Sequence, residues 1–276
     1  SALTFTSANW DTAQTVTVTG ADDDIIDGTI TSTITVSVND GSSDNNFDSV
    51  SDQTVSVTTT DDDVAGFTIA VTDSSTSVGE SGTTDTFTVV LDAEPASDVV
   101  LTITSSDTGE ATVNSPLTFT SANWDTPQTV TVTGVDDDII DGTVTSTLTI
   151  SIVDAVSDDD FDAVADQTVS AATTDDDVAG FTIAETDGST SVAESGTTDT
   201  FTVVLDAEPA SDVVLTITSG DTGEATVTSA LTFTSANWDT AQTVTVTGTD
   251  DDVIDGTVAS TITLSINDGS SDNNFD

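Results

Sequence analysis

The phrase Ser-Ala-Asn-Trp-Asp-Thr occurs three times, with its tryptophans at 10, 124 and 238, evenly spaced by 114 residues. Phe67 and Phe181 keep the same spacing, and the copies are nearly identical between these landmarks. A period of this size is too long for one coil of a solenoid and suits a domain that buries its own core. The chain therefore divides into the second part of one repeat (1–65), a complete repeat (66–179) and most of a third (180–276).

Within the complete copy, apolar residues alternate with Thr. Phe87, Val89 and Leu91 share one parity, as do Val99, Leu101 and Ile103, then Val130 and Val132, then Val144, Leu148, Ile150 and Ile152. A period of two puts each set on one side of a strand. The alternation predicts strands over 67–71, 84–91, 98–105, 111–120, 128–134, 143–153 and 167–174. One buried and one wet face is the antiparallel habit. Seven such strands predict an all-β chain of tandem immunoglobulin-like antiparallel β-sandwiches. Trp124, next to Leu117 and Phe119, is expected to plug one end of the core.

Charge then restricts the partners. The chain has 51 acidic residues and no Lys, Arg or His, a formal charge of −51. No side chain can neutralise a phosphate, which excludes nucleic acid, and an anionic membrane surface is equally unsuitable. No apolar run approaches the roughly 20 residues that span a bilayer. With no Cys, disulfides and thiol chemistry drop out. Self-repulsion opposes compaction, so cations from solution are expected to complete the fold, leaving the chain open in their absence.

The acids cluster at Glu80, at Asp107 and Glu110, at Asp136 to Asp138 and Asp141, and at Asp175 to Asp177. If successive strands run up and down, all four segments fall at one tip. Carboxylates gathered there repel one another unless a cation sits among them. Oxygen ligands without His or Cys select calcium or magnesium, and flexible loops rich in carboxylates suit calcium's six to eight oxygens. Adjacent residues face apart, which leaves Asp137 and Asp176 free to point into water. The opposite tip carries Asp154, Asp158, Asp159, Asp160 and Asp162, whose counterparts in the first copy include two Asn residues. It is expected to be a solvated loop, the alternative being that it adds ligands to the preceding repeat.

Three phrases carry a family likeness: Ser77-Val-Gly-Glu80-Ser-Gly, Val135-Asp-Asp-Asp138-Ile-Ile-Asp141-Gly and Thr174-Asp-Asp-Asp177-Val-Ala-Gly-Phe181. Across the whole period the repeat resembles the Calx-β domain, a calcium-binding sandwich of sodium–calcium exchangers and large bacterial surface proteins. The resemblance implies Ca2+ as the cofactor and Glu80, Asp136, Asp137, Asp141, Asp175 and Asp177 as ligands. The corresponding candidates are Asp22, Asp23, Asp27, Asp61 and Asp63 in the first copy and Glu194, Asp250, Asp251 and Asp255 in the third. The family's Asp-Tyr pair is absent, since the chain has no Tyr. Asp107 and Glu110 lie nearest to its place, and Asp107 with its counterpart Asp221 completes the candidate set.

An enzyme is not expected, because His, Cys and Lys are absent and the carboxylates have a simpler task in binding metal. The expectation is a calcium-binding structural repeat, extracellular or at a microbial cell surface, stiffened at each junction. Its partners would be neighbouring repeats or subunits in a filament, with any surface ligand held by terminal domains outside this sequence. The sequence starts and stops inside a repeat, as a section of a longer polymer would, with an axial repeat on the order of 40 Å. The alternative is an adhesin whose Thr-rich strand faces bind a carbohydrate, a surface or ice, although alternating Thr is also what an exposed strand face carries.

Overall fold

The computed structural model describes residues 2–254 and 256–275. Among them the only regular elements besides strands are single 3-10 turns, and no helix is long and apolar enough to cross a membrane. The first copy contributes a hairpin, β1 (Ile30–Val36) and β2 (Gln53–Thr59). The complete repeat holds β3 (Phe67–Val71), β4 (Thr76–Gly79), β5 (Thr84–Leu91), β6 (Val99–Ser105), β7 (Ala111–Val113), β8 (Leu117–Phe119), β9 (Gln128–Gly134), β10 (Thr143–Ile152) and β11 (Gln167–Thr174). In the third copy lie β12 (Phe181–Glu185), β13 (Thr198–Leu205), β14 (Val213–Ser219), β15 (Ala225–Val227), β16 (Ala230–Phe233), β17 (Gln242–Gly248) and β18 (Ile262–Ile266).

In the complete repeat one sheet runs β3-β5-β9-β7 and the other β4-β11-β10-β6-β8. Phe87, Val89, Leu91, Val130 and Val132 from the first meet Val99, Leu101, Ile103, Leu148, Ile150 and Val169 from the second in one buried core. Burying each such side chain contributes about 1.5–3 kcal/mol, so the alternation is the main stabilising pattern of the repeat. The chain is therefore an all-β, immunoglobulin-like sandwich protein.

Two features differ from the strand expectations. The segment 111–120 is not one strand: β7 pairs with β9, whereas β8 pairs with β6 in the opposite sheet. Pro116 stands between them without an N–H, so the ladder cannot continue through it. Instead the Ser115 hydroxyl accepts from the Ile103 amide at 2.9 Å. The other difference is β4, which the expectations lack. It pairs in parallel with β11, from Ala171↔Thr76 to Thr174↔Gly79.

Thr190 to Ala193, the counterpart of β4, is not a strand. In the first copy, Phe5 and Trp10 are 53% and 72% exposed. Their counterparts in the complete repeat behave otherwise: Phe119 is buried and Trp124 packs half-buried against the core, its carbonyl accepting from the Leu91 amide.

Successive repeats touch through the loop between the β9- and β10-type strands and through the segment that links one repeat to the next. Ile26 and Ala65 pack against the core of the complete repeat, and Ile140 and Ala179 against that of the third. The Glu94 amide donates to the Asp24 carbonyl at 2.8 Å, and the Glu208 amide to the Asp138 carbonyl at 2.7 Å.

Candidate metal centre

The four acidic segments of the complete repeat are cross-tied at one tip. Gly134 N–H donates to the Thr83 carbonyl at 3.0 Å, Val135 N–H to Glu110 at 2.9 Å, and Glu80 N–H to Thr174 at 3.1 Å. Gly134 is obligatory here, because a Cβ on it would meet the Gly79 backbone. This close approach joins two backbone segments just before Glu80 and Asp136.

Glu80 is fully buried and neither carboxylate oxygen has a hydrogen-bond partner. It belongs to two groups of acids whose oxygens lie within 4.8 Å of one another: Glu80, Glu110 and Asp141, and Glu80, Asp137 and Asp177. Burial, reinforced by Asp175, Asp137 and Asp141, pushes Glu80 up to about 7, and the Asp176 amide opposes this without reaching hydrogen-bonding geometry. Glu110 is also raised, first by burial and then by Asp141, Asp137 and Asp107. Asp141 is raised by burial and then by Asp137 and Asp175, with the neighbouring Glu110 carboxyl working in the opposite direction. Burial and then Asp175 raise Asp177.

The remaining candidates sit differently. Asp175 is a tether: its oxygens accept from Gly142 N–H at 2.8 Å and Asp177 N–H at 2.7 Å. Asp136 is exposed, while Asp137 is half-buried and turned into the cluster, the reverse of its expected freedom to face water. Asp176 is exposed. From the β6–β7 loop it is Glu110, 6% exposed, that enters the cluster. Asp107 is exposed and caps its own turn at Gly109 N–H, 3.0 Å away. The available signal for Glu110 was its place directly before the first residue of β7, where the strand fixes its direction.

In the first copy Asp22, Asp23 and Asp27 are exposed, and Asp61 and Asp63 half-buried. Asp63 is raised by burial and then by Asp61, Asp24, Asp62 and Asp22. In the third copy Glu194 is half-buried, Asp250 and Asp251 are exposed, and Asp221 caps Gly223 as Asp107 caps Gly109. Asp255 lies outside the described residues. Among the described residues, close groups of three acids occur only in the complete repeat.

At the opposite tip Asp158 is not solvated. It is 6% exposed and holds the Ser97 amide at 2.7 Å and the Asp160 amide at 3.1 Å. Its counterpart Asp272 does the same with Ser211 and Asn274.

The donor set fits a hard divalent cation. The orphaned buried oxygens of Glu80, Glu110 and Asp177 point to positive charge that no side chain of this protein can supply. A buried charge without a partner is costly, and oxygen-only ligands favour calcium or magnesium.

No protein-family model matches the chain, and no curated protein does. Solved structures similar to it include the apo-form Calx CBD1 domain, 13% identical over 40% of this chain and 98% of that one, with a TM-score of 0.30. The calcium-binding domain CBD12 of CALX1.1 is 15% identical over 72% of this chain and 80% of its own, with a TM-score of 0.29. Surface layer protein SbsC, domains 4–9, is 22% identical over 78% of this chain and 31% of its own, also with a TM-score of 0.29. None of these values places the chain in a family.

Proposed function

We propose that this chain is a calcium-binding structural repeat that forms a rigid rod or filament outside the cell, at a microbial surface. One observation carries the reading: Glu80, buried with both oxygens unpartnered, is shared by two carboxylate triads. Glu80, Glu110, Asp137, Asp141 and Asp177 would hold the metal, with Asp175 positioning them. The cation supplies charge compensation only, and no reaction is assigned. Extracellular modules of this kind bind calcium at about 10⁻⁴–10⁻³ M, a range suited to the outside of a cell and not to the cytosol. Isothermal titration of calcium into the metal-free chain tests this, and absence of a saturable heat at millimolar calcium contradicts it.

A second reading, adhesion through the repeats themselves, has its own support. Thr84, Thr86 and Thr88 on β5 stand opposite Thr133, Thr131 and Thr129 on β9, a charge-free rank in a strongly acidic molecule. Binding of the chain to a glycan array or to ice would favour it.

A further inference from the structure

The loop that carries Asp137 and Asp141 does two things at once. Between these acids it holds Asp138, Ile139 and Ile140, and all three contact the following repeat. The Asp138 carbonyl accepts from Glu208 N–H at 2.7 Å, and Ile139 forms a parallel bridge with Glu208. Ile140 packs against the core of the third repeat, and its carbonyl accepts from the Asn274 side-chain amide at 2.7 Å.

The preceding junction is built alike: Ile25 bridges Glu94, Asp24 accepts from the Glu94 amide, and Ile26 packs against the next core. In both junctions an Ile of this loop lies half-buried on the core of the next repeat, so it serves the joint as well as the fold of its own repeat. Covering an apolar side chain on a neighbouring apolar core is favourable, which holds the loop of one repeat against the next.

We infer that Ile140, like Ile26 before it, is the coupling residue of the joint: a plug set in the metal-binding loop of one repeat and seated on the core of the next. The inference rests on reading the acidic tip as a metal site. When Asp137 and Asp141 close on a cation, the three residues between them lose freedom, and the plug is presented in one orientation. Metal occupancy is thereby converted into a fixed angle between repeats. Without the metal the plug stays seated, but on a loop whose acids repel one another, so the angle is spread.

Because the chain has no Cys, spin labels can be placed at Thr88→Cys and Thr202→Cys, on equivalent outer positions of β5 and β13. The experiment is pulsed dipolar distance measurement on the full chain with and without calcium, alongside calorimetric titration. Calcium is expected to narrow the distance distribution of the otherwise wild-type chain to about half its width by selecting one orientation. Ile140→Ser, which keeps every carboxylate of the cluster, is expected still to take up calcium in the calorimeter, yet stay broad. Ile140→Leu, which keeps an apolar plug, should narrow. If Ile140→Ser narrows as wild type does, or if wild type binds calcium and does not narrow, the coupling is overturned. If wild type takes up no calcium in the calorimeter, the metal reading itself fails, and the inference with it.

Discussion

The Asp175 carboxylate accepts the Gly142 backbone N–H across 2.8 Å, tying the end of β11 to the loop between β9 and β10. The first copy repeats the tie with Asp61 and Gly28 at 2.7 Å. Gly142 and Gly28 both sit in the left-handed region, at φ +77° and +67°, where a side chain would be strained. Asp61 is held below the usual carboxylate range by the Asp63 amide and then by that of Gly28. The tie registers two ligand-bearing segments that are 33 residues apart.

Asp175→Ala should therefore leave the sandwich folded and weaken calcium binding about 10–100-fold, as loss of a ligand-orienting partner does. Calorimetric titration of the variant checks this. Unchanged affinity would show that the loop finds its position unaided.

Glu80→Gln removes the charge shared by both triads. Calcium affinity should fall by at least about tenfold, because a carboxylate ligand is lost from each group. In metal-free buffer at pH 8 the variant should melt higher than wild type, since a buried unpaired charge has been deleted. A lower melting temperature there would mean that the carboxylate has a partner.

The raised acids set a pH dependence for the metal-free protein. Glu80 is at about 7 when folded against 4.5 for the free side chain. The folded state therefore binds the extra proton between these values, and stability falls as pH rises through that window. Glu110, Asp141 and Asp177 act in the same direction. Asp61 and Asp199 are lowered from 3.8, so their contribution is present above that value and lost as pH falls through the folded range. Metal-free melting temperatures should peak in mildly acidic buffer and decline towards pH 8. Calcium binding competes with the bound protons, so affinity should rise with pH through the window in which the decline occurs.

Asp160→Asn bears on the first joint. Asn274 donates its side-chain amide to the Ile140 carbonyl, whereas the equivalent position in the complete repeat is Asp160, which as a carboxylate has no N–H to give. The substitution should add one hydrogen bond, stabilising the joint by about 0.5–1.5 kcal/mol. Thermal melting should show a small increase, and a decrease would place residue 160 away from Ile26.

Much of this architecture is legible in the residues. The parity of Phe87, Val89 and Leu91 sets the inner face of β5, and strand alternation alone sends Glu80, Glu110, Asp141 and Asp177 to one tip. The choice within each acidic run is not legible. Whether Asp136 or Asp137 turns inward depends on where β9 ends, and that depends on the approach of Gly134 to Gly79. Asp107 looks as good a ligand as Glu110 until its carboxylate is seen closing its own turn. The strand β4 is short and made of Thr, Ser, Val and Gly, and its reason for being extended is β11, far along the chain. Ile140 is part of an apolar pair in an acidic loop, and its destination is in another repeat.

The most direct test is differential scanning calorimetry of the chain at neutral pH, after removal of divalent ions and again with 10 mM calcium. For affinities of about 10⁻⁴–10⁻³ M, that concentration stabilises each site by roughly 1.4–2.7 kcal/mol. In a repeat of this size the melting temperature should rise by about 5–15 °C. Magnesium at equal concentration should give a smaller shift, because its small octahedral shell suits a cluster of large acidic loops less well. Superimposable thermograms with and without calcium would contradict the account.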